Sequence, residues 1–248
     1  MKLNLYRIKI NYLYHDGFII ETKSKILIFD YFNDDGETRT LEQGVISREA
    51  LQTEKNVFVF VSHSHYDHFN PIIFSWKELN PNIKYILSTD IEKNDDFPEV
   101  IYISEDENIE VDDIEIKAYG STDIGISFLV KIDGISIFHA GDLNWWHWKE
   151  DSDEQNLAME KAFKKEVEKL SNKNIDIAFF PVDNRLEEYY YLGGEYLIEK
   201  IKPKLFIPMH FGDNLEVTKS FKEKMSNCSS DIVEIRKRGQ EILFLEEA

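Results

Sequence analysis

One apolar strand that ends on a histidine-rich loop constrains this chain more than any other feature. Residues 56–61 read Asn-Val-Phe-Val-Phe-Val, a short β-branched and aromatic run without polar alternation. Such a run suits a central strand buried on both faces. The next residues, Ser62-His63-Ser64-His65-Tyr66-Asp67-His68, place three histidines and a carboxylate within six positions. Neutral imidazole and carboxylate together suit borderline or hard divalent cations such as zinc, manganese or iron. Residues i and i+2 of an extended loop project the same way, so His63 and His65 can hold one ion. Asp67 and His68 then turn toward the following helix and can serve a second. The plain alternative is a polar loop ahead of a helix, and four such residues directly after a buried strand weigh against it.

The rest of the chain supplies the scaffold. Apolar or alternating runs predict strands over 3–10, 18–21, 25–29, 84–87, 100–103, 114–119, 125–132, 135–138, 175–180, 205–209 and 242–245. Asn70 and Pro71 form an N-cap and N1 pair that opens a helix to about residue 79. Further helices are expected over 155–170, 194–201 and 215–226. Strands first, then strands alternating with helices, argue a layered α/β sandwich. Asp30, His63, Asp142, Asp183 and His210 each follow the end of an expected strand. Ionisable residues at successive strand exits collect on one edge of a sheet, where α/β folds place their sites.

Composition narrows the function classes. With 248 residues, no internal repeat and no Pro/Gly/Ser linker, one domain over 1–248 is the simpler organisation. A formal net charge of −18 repels phosphate backbones and disfavours nucleic acid as a partner. The densest basic stretch, Arg236-Lys237-Arg238, is flanked by Glu234 and Glu241 and reads as a solvated loop. No run has the length of a membrane span, and Met1-Lys2-Leu3-Asn4-Leu5 has no signal-peptide character. The single cysteine, Cys228, cannot close an internal disulfide, which fits a cytoplasmic protein. Aromatic residues would allow a homo-oligomer.

His-x-His-x-Asp-His after a buried strand resembles the metallo-β-lactamase superfamily. The resemblance spans nearly the whole chain, through Asp30, the histidine loop, Gly141-Asp142 and the late His210. It implies a four-layer αβ/βα sandwich with one or two divalent metals, zinc first, with manganese or iron as alternatives. It also implies hydrolysis by a metal-bound hydroxide. Transferred by position, His63 and His65 would bind the first metal, Asp67, His68 and His210 the second, and Asp142 would bridge them. Pro208-Met209-His210 and the modest length are most similar to the small branch that includes sugar-lactone hydrolases.

One departure stands out. The superfamily usually carries another metal-binding histidine where this chain reads Tyr119-Gly120-Ser121-Thr122-Asp123. Asp123 could replace it, giving an oxygen-richer site. Alternatively, Ser121 or water completes a weak site, or only the second site fills. His139 reads as core or as a support for a ligand. His147, in Asn144-Trp145-Trp146-His147-Trp148, reads as pocket wall and proton shuttle or as lid packing. His15 is expected at the surface. Asp30 is expected to hydrogen-bond a ligand histidine. Arg185 reads either as an anion hook or as a surface salt bridge with Glu187 or Glu188, and Tyr189-Tyr190-Tyr191 as pocket or core.

These readings give a metal-dependent hydrolase acting on a small ester, lactone or phosphodiester, with Asp67 orienting the nucleophile or accepting its proton and metal-bound water or His147 protonating the leaving group. The rivals are a nuclease of the same superfamily and a non-catalytic metal-binding scaffold, which the missing histidine would favour.

Overall fold

Hydrophobic runs that alternate or stay continuous become strands in two separate sheets. The computed structural model describes residues 5–247; the start of the strand expected over 3–10 and nearly all of the N-terminal stretch read against a signal peptide lie outside them. By its internal packing the chain divides into two compact units, Met1–Ile103 with Arg236–Ala248, and Ser104–Ile235.

The first unit holds β1 (Leu5–Tyr14), β2 (Gly17–Glu21), β3 (Lys25–Phe29), helix α1 (Arg48–Leu51), β4 (Asn56–Val61), β5 (Lys84–Ser88) and β6 (Ile101–Ile103). It is completed by a strand from the far end of the chain, Glu241–Glu247. That strand pairs antiparallel with β1, and β1–β2 and β2–β3 are antiparallel too. From β3 outward the pairings with β4, β5 and β6 are parallel. In β4 every residue after Asn56 is buried, which is why the run carries no polar alternation. Val57, Val59 and Val61 share a core with Ile26, Ile28, Tyr85, Leu87 and Leu51 of α1.

The helix expected after Asn70 is a 3-10 helix, Pro71–Glu78, capped by Asn70, whose side chain accepts from the Ile72 N–H at 3.0 Å. Buried Ile73 and Trp76 stand three residues apart, the period at which 3-10 side chains stack on one face.

The second unit holds β7 (Asn108–Val111), β8 (Ile114–Tyr119), β9 (Ser127–Ile132), β10 (Ile135–His139), α2 (Asp153–Glu168), β11 (Ile177–Pro181), α3 (Leu192–Ile201), β12 (Leu205–Met209), α4 (Glu216–Lys224) and β13 (Asp231–Ile232). The strand at the chain's end is β14. Pairings from β7 to β10 are antiparallel and those from β10 to β13 parallel. Both units therefore share one plan, three antiparallel pairings followed by three parallel ones, although no repeat is visible in the sequence. The β9–β10 hairpin turns on Asp133 and Gly134, both at positive φ (49° and 84°), as a two-residue turn compatible with strand twist requires. Ser152 and Gln155 close a capping box at the start of α2. Among the described residues no helix is long and apolar enough to cross a membrane.

Candidate metal centre

Within each unit the chemistry-bearing residues sit just past the carboxyl ends of the parallel strands, and the backbone there is unusual. Asp30, directly after β3, has φ 41°, and His210, directly after β12, has φ 64°. Left-handed backbone at a non-glycine residue costs energy and persists where surrounding structure demands it.

In the first unit, Asp30 is the organising group. It is fully buried. Its Oδ1 accepts the Ser62 N–H at 2.7 Å, and its Oδ2 accepts the Ser62 hydroxyl at 2.6 Å. The same Oδ2 lies 2.9 Å from His68 Nδ1. Ser62 spends its only proton on Asp30, so the contact between Ser62 Oγ and His63 Nδ1, at 3.0 Å, has His63 as donor. The consequence is a fixed tautomer: His63 and His68 each present Nε2 as a lone pair. His63 Nε2 lies 3.0 Å from His65 Nδ1, and the His63 and His68 rings are 4.0 Å apart between centroids.

That donor set fits a cation. Two imidazole nitrogens bound at roughly 2.0–2.1 Å to one divalent ion stand about 3.0–3.4 Å apart, which is the spacing His63 and His65 already hold. The loop is pinned from both sides. The Ser64 N–H donates to Asp90 Oδ2 at 2.8 Å, and the His68 and Phe69 N–H groups both donate to the His65 carbonyl at 3.0 Å. Tyr66 is 83% exposed, so the loop presents it outward.

Two residues of the β1–β2 turn join this cluster. Asp16, fully buried, brings Oδ2 to 3.6 Å from His68 Nδ1, an acidic neighbour that sequence reasoning missed. His15 corrects an expectation: it is half-buried rather than a surface residue. Its Nε2 lies 3.8 Å from Asp67 Oδ2, and its ring is 5.7 Å from that of His68. A left-handed φ of 54° at His15 turns the chain, and the Tyr12 hydroxyl accepts its N–H at 2.9 Å. Asp67 is partly exposed.

In the second unit, His210 and Asp142 are both nearly buried. His210 Nδ1 donates to Asp183 Oδ2 at 3.0 Å, which leaves Nε2 facing Asp142 Oδ1 at 3.2 Å. A lone pair and a carboxylate oxygen at that distance repel unless a proton or a metal cation joins them. Burial works to raise the Asp183 pKa, but hydrogen bonds from His210 and Arg185 outweigh it and hold the carboxyl at about 2. Trp146 braces the pair: its Nε1–H donates to the Asp142 carbonyl at 3.0 Å and its ring stands T-shaped on His210 at 5.2 Å.

Arg185 also departs from expectation. It pairs with Asp183 rather than with Glu187 or Glu188, which Lys149 takes up at 2.8 and 3.9 Å. Asp183 lies two residues earlier, and the turn that lets it accept the Arg185 N–H at 2.8 Å also brings the guanidinium onto its carboxylate. His139 is buried, with Nδ1 accepting the Gly141 N–H at 3.3 Å, so it serves the strand exit. His147 packs on Tyr189, 4.1 Å between centroids, and all three tyrosines over 189–191 are half-buried.

In the loop over 120–123, the Asp123 N–H donates to Ser121 Oγ at 3.2 Å and the Asp123 residue is exposed. Thr122 Oγ1 donates to the Asn144 carbonyl at 2.6 Å and accepts the Asn144 N–H at 2.9 Å. That stretch ties itself to the loop carrying Asp142.

A family model described as a beta-lactamase superfamily domain matches residues 9–210. Among solved structures the chain is similar to Igni18, a metallo hydrolase from Ignicoccus hospitalis, with a TM-score of 0.65, 15% identity and coverage of 96% of this chain and 98% of that one. It is also similar to the metallo-beta-lactamase fold protein YhfI from Bacillus subtilis, at TM-score 0.59, 12% identity and coverage of 96% and 100%. CmlA, a diiron beta-hydroxylase from Streptomyces venezuelae, matches at TM-score 0.61 and 9% identity; 97% of this chain covers 54% of CmlA.

Proposed function

We propose, from the premise that this chain belongs to the metallo-β-lactamase superfamily and has its α/β fold, that it is a metal-dependent hydrolase of a small ester, lactone or phosphodiester. The observation that carries the reading is the histidine loop after β4, where His63 Nε2 and His65 Nδ1 stand 3.0 Å apart with His63 and His68 held in the ligand tautomer through Asp30. The proposed ligands are His63, His65, Asp67 and His68 of the first unit and Asp142 and His210 of the second. The exposed carboxylate Asp123 is a further oxygen donor in the proposed set.

A bound divalent ion supplies a water of lowered pKa and a Lewis acid for the substrate oxygen. The protein's own groups do the rest. Asp67 orients the attacking water and takes up its proton. His147, whose Nδ1 is buried without a hydrogen-bond partner among the described residues, delivers a proton to the leaving group. Zinc is the first expectation; iron belongs in the same screen because CmlA, of like fold, is a diiron protein.

Elemental analysis on protein purified without chelator tests the reading, followed by assays on 4-nitrophenyl acetate, a simple lactone and bis-4-nitrophenyl phosphate. About one or two metal equivalents, reduced in His68→Ala, with turnover of at least one substrate, supports it. No metal after incubation with zinc, manganese and iron overturns it. Metal without turnover favours the non-catalytic scaffold, the reading that the hydroxyl-bearing, histidine-free loop over 120–123 supports.

A further inference from the structure

The first unit holds a cavity of about 450 Å³ that none of the proposed metal ligands lines. Its walls come from two stretches, one around α1 and one from the 3-10 helix Pro71–Glu78 and its C-cap Leu79. Ile46, Leu51, Ile72, Trp76 and Leu79 make the lining largely apolar. The volume lies within the roughly 300–1,000 Å³ of small-molecule sites.

The polar groups along that lining divide into committed and uncommitted ones. Ser47 Oγ accepts the Ala50 N–H at 3.2 Å as the N-cap of α1. The Glu49 carboxyl is held below its ordinary range by the Glu49 N–H and the Ser47 hydroxyl. Ser75 donates its hydroxyl to the Ile72 carbonyl at 2.6 Å. Arg39 grips Asp34 through both terminal nitrogens, at 2.6 and 2.7 Å. What is left over is of one kind. Trp76 is 3% exposed, and its indole N–H makes no hydrogen bond among the described residues. Arg48 opens α1 and is exposed, and its guanidinium makes no hydrogen bond or ion pair among the described residues.

An indole N–H can only donate, and a guanidinium donates and carries positive charge. Both therefore call for an acceptor oxygen, and Arg48 calls for an anionic one. The acidic groups close by, Glu49 and Asp34, are already taken up, so they do not satisfy it. A nearly buried donor without an acceptor is costly, and a ligand oxygen would meet it. A singly charged head suits a chain of net charge −18 better than a doubly charged one, because each added charge meets the same long-range repulsion.

We propose that this cavity binds a small amphiphilic carboxylate, with its apolar body against Ile72, Leu79 and Trp76 and its head at Arg48 and the Trp76 N–H. The site uses no metal and no hydrolytic step, so it stands apart from the hydrolase reading.

Octanoate and its neutral isostere octanamide are the probes. Each is titrated calorimetrically into the metal-stripped full chain, so that no bound cation can act as the anion receptor. Saturable octanoate binding about threefold or more tighter than octanamide is expected, the size of one exposed charge contact. Arg48→Ala should remove the preference and leave octanamide unchanged. Ser75→Glu, at an exposed position of the lining, should weaken octanoate through like-charge repulsion. Trp76→Phe should weaken both probes, since either offers an oxygen to the indole N–H. Non-saturable uptake, equal affinities for the two probes, or wild-type octanoate affinity in any of the three variants overturns the proposal. Circular dichroism checks each variant, and where one does not fold the others decide. A chain that turns over no ester yet shows these differences loses the hydrolase reading and keeps the carboxylate site.

Discussion

Asp30 Oδ2 lies 2.9 Å from His68 Nδ1, and neither side chain has any exposure to solvent. One carboxylate thereby sets the tautomer of His68 directly and that of His63 through the Ser62 hydroxyl. Asp30→Asn keeps the shape but replaces one acceptor oxygen with a donor NH2 facing donors. The expected result is metal affinity lower by roughly 10–100-fold, the usual effect of losing the group that orients a ligand. Stability should fall by about 1–3 kcal/mol, because a buried donor on Ser62 or His68 is left without its acceptor. Competition against a chelator and urea unfolding measure the two. Ser62→Ala, which cuts only the path to His63, should cost less on both counts; an Asp30→Asn protein with wild-type metal affinity would refute the role.

Trp146 makes a second relationship testable. Its Nε1–H bonds the Asp142 carbonyl and its ring covers His210. Trp146→Phe removes the hydrogen bond and keeps most of the ring, so a loss of about 1–2 kcal/mol is expected. Trp146→Ala also removes a 6%-exposed indole and should cost about 3–5 kcal/mol. Thermal unfolding followed by near-ultraviolet circular dichroism reads both. Equal losses in the two variants would mean that the ring packing contributes nothing.

Much of this was legible in the sequence because it is local. The run over 56–61 became a strand buried almost end to end, and the acidic and imidazole groups expected at strand exits do follow β3, β4, β10, β11 and β12. What stayed hidden depends on partners distant in sequence. Asp16 reads as a turn residue before Gly17; its burial beside His68, far along the chain, is not announced by its neighbours in sequence. His15 reads as a surface residue for the same reason. Arg185 had three carboxylates within three positions, and composition could not choose Asp183 over Glu187 or Glu188. The first sheet is completed by β14 from the far end of the chain, a pairing no local pattern announces. The 3-10 form of Pro71–Glu78 was hidden differently, since an N-cap followed by proline opens either kind of helix.

The loop over 30–47 carries a pH dependence of its own. Tyr31 donates its hydroxyl to Asp34 at 2.5 Å, and Arg39 grips both Asp34 oxygens at 2.6 and 2.7 Å. Burial pushes the Asp34 pKa up, but the bonds from Arg39 and Tyr31 outweigh it and hold the carboxyl below its ordinary 3.8. A depressed folded-state pKa means stability that is fully present above 3.8 and lost as the pH falls through the folded value. Wild type should therefore exceed Asp34→Asn in urea stability at about pH 7, with a gap that narrows as the pH is lowered below 3.8. A gap that stays constant down to about pH 2 would show that the charge of Asp34 contributes nothing.

Gly193 opens α3 against the loop that carries Asp142. A Cβ at this position would lie 2.0 Å from Asn144 Oδ1, 3.1 Å from the Phe180 ring and 3.1 Å from the Trp145 nitrogen. Asn144 is 1% exposed and its carboxamide has no hydrogen-bond partner among the described residues, while its backbone is held at both ends by Thr122. The side chain is buried, so it can swing away only if its neighbours make room. Gly193→Ala should destabilise by about 1–3 kcal/mol, the range for overpacking a tight contact. Most of that penalty is assigned to Asn144, so the same substitution in an Asn144→Ala background should cost at least about 1 kcal/mol less. The remainder belongs to Phe180 and the Trp145 backbone, which do not change. Chemical denaturation of the four proteins gives the coupling directly. A penalty equal in both backgrounds would mean that α3 shifts as a unit rather than clashing with Asn144, and the glycine would then be required by the helix and not by the loop.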